Sequence, residues 1–175
     1  TADIINEVAE EVTRRQNDRL YEEGSIFLII HDVSRFRDLR KSDDDYGFGF
    51  SRGDGESRPS PSKQFGDILR DGPGVGVHTI VWCDSLNNLN RTFDRAALRE
   101  FEMRVLFQMS PNDSSALIDT PVAGRLGMHR ALFASEEEGR LEKFRPYGLP
   151  SDAWWDQIRT RFRERRRALD AATPG

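Results

Sequence analysis

The stretch 25–33, SIFLIIHDV, restricts the fold more than any other, because it holds five large apolar residues in a row, from Ile26 to Ile30. A strand with one wet face alternates apolar and polar positions. An unbroken run of strand length instead predicts a strand covered on both faces, as in a parallel sheet. Such a strand needs a crossover element before its parallel neighbour, so the chain must supply helices between strands.

The flanking pattern supplies them. Residues 3–22 predict a helix, with Asp3 as cap, Ile4, Ile5, Val8 and Val12 on one side, and Gly24 as the stop. Residues 41–62 are dense in Gly, Ser, Pro and Asp without a period, which predicts a long, partly disordered insert. The RGD at 52–54 falls inside it and reads as solvated loop. Ser60 and Pro61 open a helix carrying Phe65, Ile68 and Leu69, which Gly72-Pro73-Gly74 closes. A strand at 77–83 follows, then a short helix capped by Asp94 with Ala97, Leu98 and Phe101 inward. A third strand at 103–109 and a helix at 111–118 come next. Strands at 130–134 and 141–144 flank an acidic turn in which Gly139 suits a hairpin. Ser151 caps a closing helix with Trp154, Ile158 and Phe162 in one stripe and Arg159, Arg163, Arg166 and Arg167 in another. Strands alternating with helices, then an antiparallel edge, predict a three-layer α/β domain with a mostly parallel sheet and helices on both faces.

Composition narrows the setting. The 175 residues suffice for one domain with a real core. The single cysteine, Cys83, cannot form an internal disulfide, and no stretch approaches the roughly 18 apolar residues of a membrane span. A reducing, cytoplasmic setting is expected. A net charge of -4 argues against a generally basic surface, although arginines gather in the last helix. The chain opens on Thr1 and carries no signal-peptide pattern, so it reads as a piece of a longer protein.

Four segments in order then carry a resemblance. GVGVHTIVW at 74–82 is similar to the strand entry "AxGIHLIxAT" of the FtsK/SpoIIIE translocases, and MRVLFQMS at 103–110 is similar to their "xRIAFxVxS" strand. Asp113-Ser114-Ser115 with Leu117-Ile118-Asp119 resembles "DSRTILD", and Arg125-Leu126-Gly127 with Ala131-Leu132-Phe133 resembles "LLGxGDMLY". The likeness covers about 24–147. It implies three parts: a terminal helix (1–24), a partial RecA-like P-loop NTPase core (25–150) with an insert near 41–62, and an Arg-rich helix (151–175). It further implies a ring-forming partner set of like motor modules, a homo-oligomer among them, with double-stranded DNA as the usual translocated polymer.

Motor chemistry is thin in these residues. There is no GxxxxGK[ST] loop, and the 71–76 segment DGPGVG lacks a Lys and precedes a strand, so it reads as a turn. Where the family carries an Asp-Glu pair for magnesium and the attacking water, this chain offers His31-Asp32 in one register. Aligned on Phe36-Arg-Asp-Leu39, which resembles "DEFADL", it offers Ser34-Arg35 instead. Neither gives adjacent carboxylates, and imidazole is a poor magnesium ligand. Asp32 is thus a lone catalytic candidate. Where the family's Thr-Gln senses the terminal phosphate, Cys83-Asp84 stand, and a carboxylate repels a triphosphate. Met128 replaces an expected Arg.

The expected activity is therefore that of a degenerate, non-hydrolysing module. It would take ATP and magnesium only when joined to a longer protein, with no cofactor expected for this chain alone. Alternatives are a protein-interaction scaffold and a module of a type VII secretion-like ATPase. His31, His78 and His129 show no metal-ligand spacing, and Ser114 and Ser115 read as helix-capping residues. The arginines at 159, 163, 166 and 167 remain candidates for partner or phosphate contact.

Overall fold

The computed structural model describes residues 1–21, 23–40 and 59–172. Most of the insert expected at 41–62 lies outside them, as does the RGD. The chain divides into two compact units. One holds Thr1–Arg104 with Ala134–Arg140, the other Val105–Phe133 with Leu141–Gly175. The fold is α/β, with a two-stranded parallel sheet and a separate three-stranded sheet.

In the first unit, α1 (Ala2–Asp18) buries Ile5 and Val12 but leaves Ile4 facing solvent, a correction to the expected stripe. Its start is Thr1 without a side-chain cap, and it stops at left-handed Arg19, where the Arg19 and Leu20 amides close back on Gln16 and Arg15. Neither Asp3 nor Gly24 plays the role its residue type suggests. Next come β1 (Ile26–Ile30), two 3-10 turns (Val33–Arg35 and Arg37–Leu39) and α2 (Pro61–Asp71). In α2, Ser60 accepts from the Lys63 amide at 3.3 Å, Pro61 fills the first turn, and Phe65, Ile68 and Leu69 are buried, as the pattern predicts. β2 (Val77–Val81) follows, then α3 (Leu86–Thr92), which the composition did not suggest, and α4 (Arg95–Arg99), capped by Asp94 at 2.8 Å from the Ala97 amide. Phe65, Phe93 and Phe101 meet in a chain of tilted and edge-on rings with centroids 5.7 and 5.3 Å apart, fastening α2 to the segments around α3 and α4.

β1 and β2 run parallel, with Ile26 opposite Val77 and Ile30 opposite Val81. The pairing continues one step further, through Trp82 N–H to the Ile30 carbonyl (2.9 Å) and Val33 N–H to the Trp82 carbonyl (3.1 Å). Among the described residues only one face of this sheet is covered. Ile30 and Val77 are buried, whereas Phe27 (58% exposed), Ile29 (68%) and Ile80 (51%) face outward. The two-face covering expected from the apolar run is thus absent among the described residues.

What levels the two strands is Arg15, whose side chain is 5% exposed. Its guanidinium donates to the Gly24 and Val75 carbonyls, each at 3.0 Å, and pairs with Glu11 at 2.7 Å and Glu23 at 3.4 Å. Those carbonyls stand just before β1 and β2.

The other sheet has the order β3 (Met103–Leu106), β4 (Ala131–Ser135), β5 (Arg140–Phe144). The 103–110 segment therefore pairs with the hairpin and not with β1 or β2, so the described strands form two sheets in place of the single one expected. The hairpin turn fits the expectation: Gly139 has φ +60°, and Glu102 accepts from the Ser135 hydroxyl and the Glu137 amide. In the second unit, α5 (Pro111–Ile118) is capped by Ser110, which accepts from Asp113 N–H at 3.1 Å. Ser114 is no cap, contrary to its expected role. It is fully buried, donates to the Thr120 carbonyl (2.5 Å) and accepts from the Ala123 amide (3.1 Å), stitching α5 to the 3-10 turn Pro121–Arg125. α6 (Asp152–Ala172) opens with Ser151 accepting from Trp154 N–H at 3.3 Å. Among the described residues no helix is long and apolar enough to cross a membrane.

Two outcomes are expected. Arg15→Ala leaves the buried Val75 carbonyl without its donor, frees the Gly24 carbonyl and leaves Glu11 and Glu23 to Arg14 alone, and should cost about 3 kcal/mol, read as a lowered urea midpoint; Arg15→Lys, a point charge, should recover little of it. Hydrogen bonds from Arg14 and Arg15 hold the Glu11 carboxyl down from 4.5 to about 2. The stability this gives is present above pH 4.5 and lost as pH falls toward 2, so Glu11→Gln should flatten the acid limb of an unfolding titration in that window.

Candidate functional site

The parallel register brings two sequence-derived candidates to the same sheet edge. Because Ile30 lies opposite Val81, the residues that follow each strand, His31-Asp32 and Trp82-Cys83-Asp84, emerge together at the carboxyl ends. That edge is where open α/β sheets place ligands. His31 and Trp82 stack there face to face, ring centroids 4.8 Å apart and 5° from parallel.

Asp32 sits in the left-handed region (φ 57°, ψ 72°) at the head of the first 3-10 turn. Its Oδ1 accepts from the Ser34 hydroxyl at 2.6 Å, a bond between side chains that consumes acceptor capacity within the turn. Asp84 is likewise committed to its own loop. Its Oδ1 accepts from Asn88 Nδ2 (2.8 Å) and the Ser85 hydroxyl (3.2 Å), while Ser85 caps α3 by accepting from Asn88 N–H at 3.3 Å. These bonds, Asn88's foremost, hold the Asp84 carboxyl below its ordinary range. Burial pushes the Cys83 thiol up, and the adjacent Asp84 charge adds to the effect. Asn88 and Trp82 thus belong to this edge, though no spacing in the sequence marks them, and Ser34, which the alternative register set at the family's acidic pair, joins them as the partner of Asp32.

Among the described residues, the 72–77 segment and Asp32 do not offer the donors and acids that a nucleotide needs. Phosphate loops offer free backbone N–H groups at a helix start. In the 72–77 segment the Val75 and Val77 amides donate to the Gly72 carbonyl and the Gly76 amide to the Pro73 carbonyl, so those donors are spent internally. At Gly72 an added Cβ would lie 2.4 Å from the Ile68 carbonyl oxygen and 2.7 Å from that of Val77, so the space beside it is filled by protein backbone. The single acid of the His31-Asp32 pair, already bonded to Ser34, completes the mismatch with a triphosphate and its magnesium ion.

The remaining candidates lie elsewhere. No group of His, Cys, Asp and Glu among the described residues could hold a metal ion. Met128 is exposed, and His129 holds a left-handed backbone at φ 56°. Arg159, Arg163, Arg166 and Arg167 are all exposed on α6, where Arg159 pairs with Asp156 at 3.1 Å. No protein-family model matches this chain, and no curated protein shows significant similarity to it.

One chemical outcome follows for this edge. Cys83 should alkylate with iodoacetamide more slowly than a free cysteine at pH 8, and Asp84→Asn should speed the reaction; equal rates for both variants would separate the thiol from that carboxylate.

Proposed function

We propose that the chain is a partial RecA-like core of the FtsK/SpoIIIE type, a non-hydrolysing module that works by assembling with other motor modules. The four ordered segments at 74–133 support the family reading, and the β1–β2 edge supports the loss of hydrolysis.

The observation that carries the assembly role is the outer face of β1 and β2. In the parallel register three cross-strand pairs occupy it: Phe27 with His78 (centroids 5.4 Å), Ile29 with Ile80, and His31 with Trp82. All-parallel sheets are stable when both faces are covered, and an isolated two-stranded sheet is marginal. A contiguous apolar face of this kind is the mark of an interaction surface. In a multi-module motor the missing layer comes from another segment or another copy, and ATP with magnesium binds where that segment supplies the phosphate loop. Double-stranded DNA, the usual polymer of the family, is the cargo this reading gives the assembly.

Two measurements test the proposal. Phosphate release from ATP and magnesium by the isolated chain should stay at background in the native chain and in Asp32→Ala; release lost in that variant would overturn the non-hydrolysing part. In sedimentation equilibrium the chain should self-associate, while Ile29→Asp, at an exposed position, should stay monomeric with a stability change of only about 0.5 kcal/mol. A native chain that remains monomeric throughout would remove the assembly role for like copies.

A further inference from the structure

We propose that α6 is an interfacial helix that lies on an anionic lipid surface, with Trp154, Ile158 and Phe162 at the headgroup boundary and arginines on the lipid phosphates. This stands apart from the motor reading, which concerns the parallel sheet.

The first observation is an uncovered stripe. Trp154, Ile158 and Phe162 recur at i, i+4 and i+8, and Trp155 packs edge-on against Trp154 with centroids 5.0 Å apart. Only Ile158 is half-buried; Trp154, Trp155 and Phe162 are exposed. Tyr147 and Leu149, just before the helix, are fully exposed as well.

The second is how charge is arranged around that stripe. Six arginines and one acid lie between Arg159 and Arg167. At about 100° per residue, Arg165 falls within the stripe, Arg161 borders it on one side and Arg166 on the other, with Arg159 about 100° from its centre, while Asp152, Asp156, Glu164 and Asp170 all fall about 120° or more from that centre. Among the described residues Arg161, Arg163, Arg165, Arg166 and Arg167 have no acidic partner. An apolar stripe edged on both sides by cations, with every acid turned away, matches a plane that is apolar inside and anionic at one depth. Aromatic rings with a polar edge suit that boundary.

Other occupants fit less of this. A second α6 laid against the stripe would face arginine with arginine along both borders. A nucleic-acid backbone would engage the arginines but leave Trp154 and Phe162 in water. Spanning is ruled out by the arginines themselves.

The test uses the full chain carrying Trp82→Phe, so that the remaining tryptophans, Trp154 and Trp155, both report from α6. It should co-sediment with phosphatidylcholine–phosphatidylglycerol vesicles and not with phosphatidylcholine alone, and its tryptophan emission should shift to the blue. Phe162→Asp should abolish the shift, and the triple change Arg161→Glu, Arg165→Glu, Arg166→Glu should lower partitioning more than about a hundredfold. Circular dichroism checks that each variant keeps its helix. Three results overturn the proposal: no preference for anionic vesicles, vesicle binding indifferent to Phe162→Asp, or retention only by a double-stranded DNA oligonucleotide without any emission shift.

Discussion

The buried guanidinium of Arg15 fixes the geometry on which the first unit depends. A parallel pair has no tight turn to set its register, since a long crossover separates the strands. Here one planar side chain from α1 grips the carbonyls at Gly24 and Val75, just ahead of β1 and β2, and brings both strands to a common starting line. Glu11 and Glu23 neutralise it, so the cation is desolvated without being left alone. Everything at the other end of the sheet inherits that alignment. The stacking of His31 on Trp82 and the shared edge of Asp32 and Asp84 are consequences of where α1 holds the opposite end.

At that edge both acids take up structural work. Asp32 closes a turn through Ser34, and Asp84 braces the start of α3 through Asn88. A carboxylate bonded in this way steadies the backbone around it but has less freedom to engage a ligand. The same edge position that suits a catalytic acid also suits a residue that turns the chain out of a strand, and here the turn is what the bonds describe.

Much of the local structure was legible because it depends on short-range rules. Ser60, Asp94 and Ser151 act at helix starts, Phe65, Ile68 and Leu69 turn inward, and Gly139 shapes the hairpin, each through contacts a few residues away. The errors arise where distant partners decide. The run from Ile26 to Ile30 says that both faces of a strand are apolar but not whether a layer covers the second. Arg15 looks like any helix arginine until Val75, 60 residues on, comes beside it. Ser114 looks like a cap because it sits in a first turn, yet its bonds reach Thr120 and Ala123. Of the candidate edge, Asp32 and Asp84 were visible as residue types and Ser34 as an alternative register position, whereas Asn88 acquires meaning only through side-chain geometry.

The tight approach at Gly72 has an evolutionary consequence. With backbone oxygens crowding the position where a Cβ would stand, substitution there would push β2 away from α2 whatever the new side chain. Any relative that keeps this helix-to-strand packing would therefore keep that glycine, whatever its site does. Its persistence would record the packing of a helix end against a strand and nothing about a ligand.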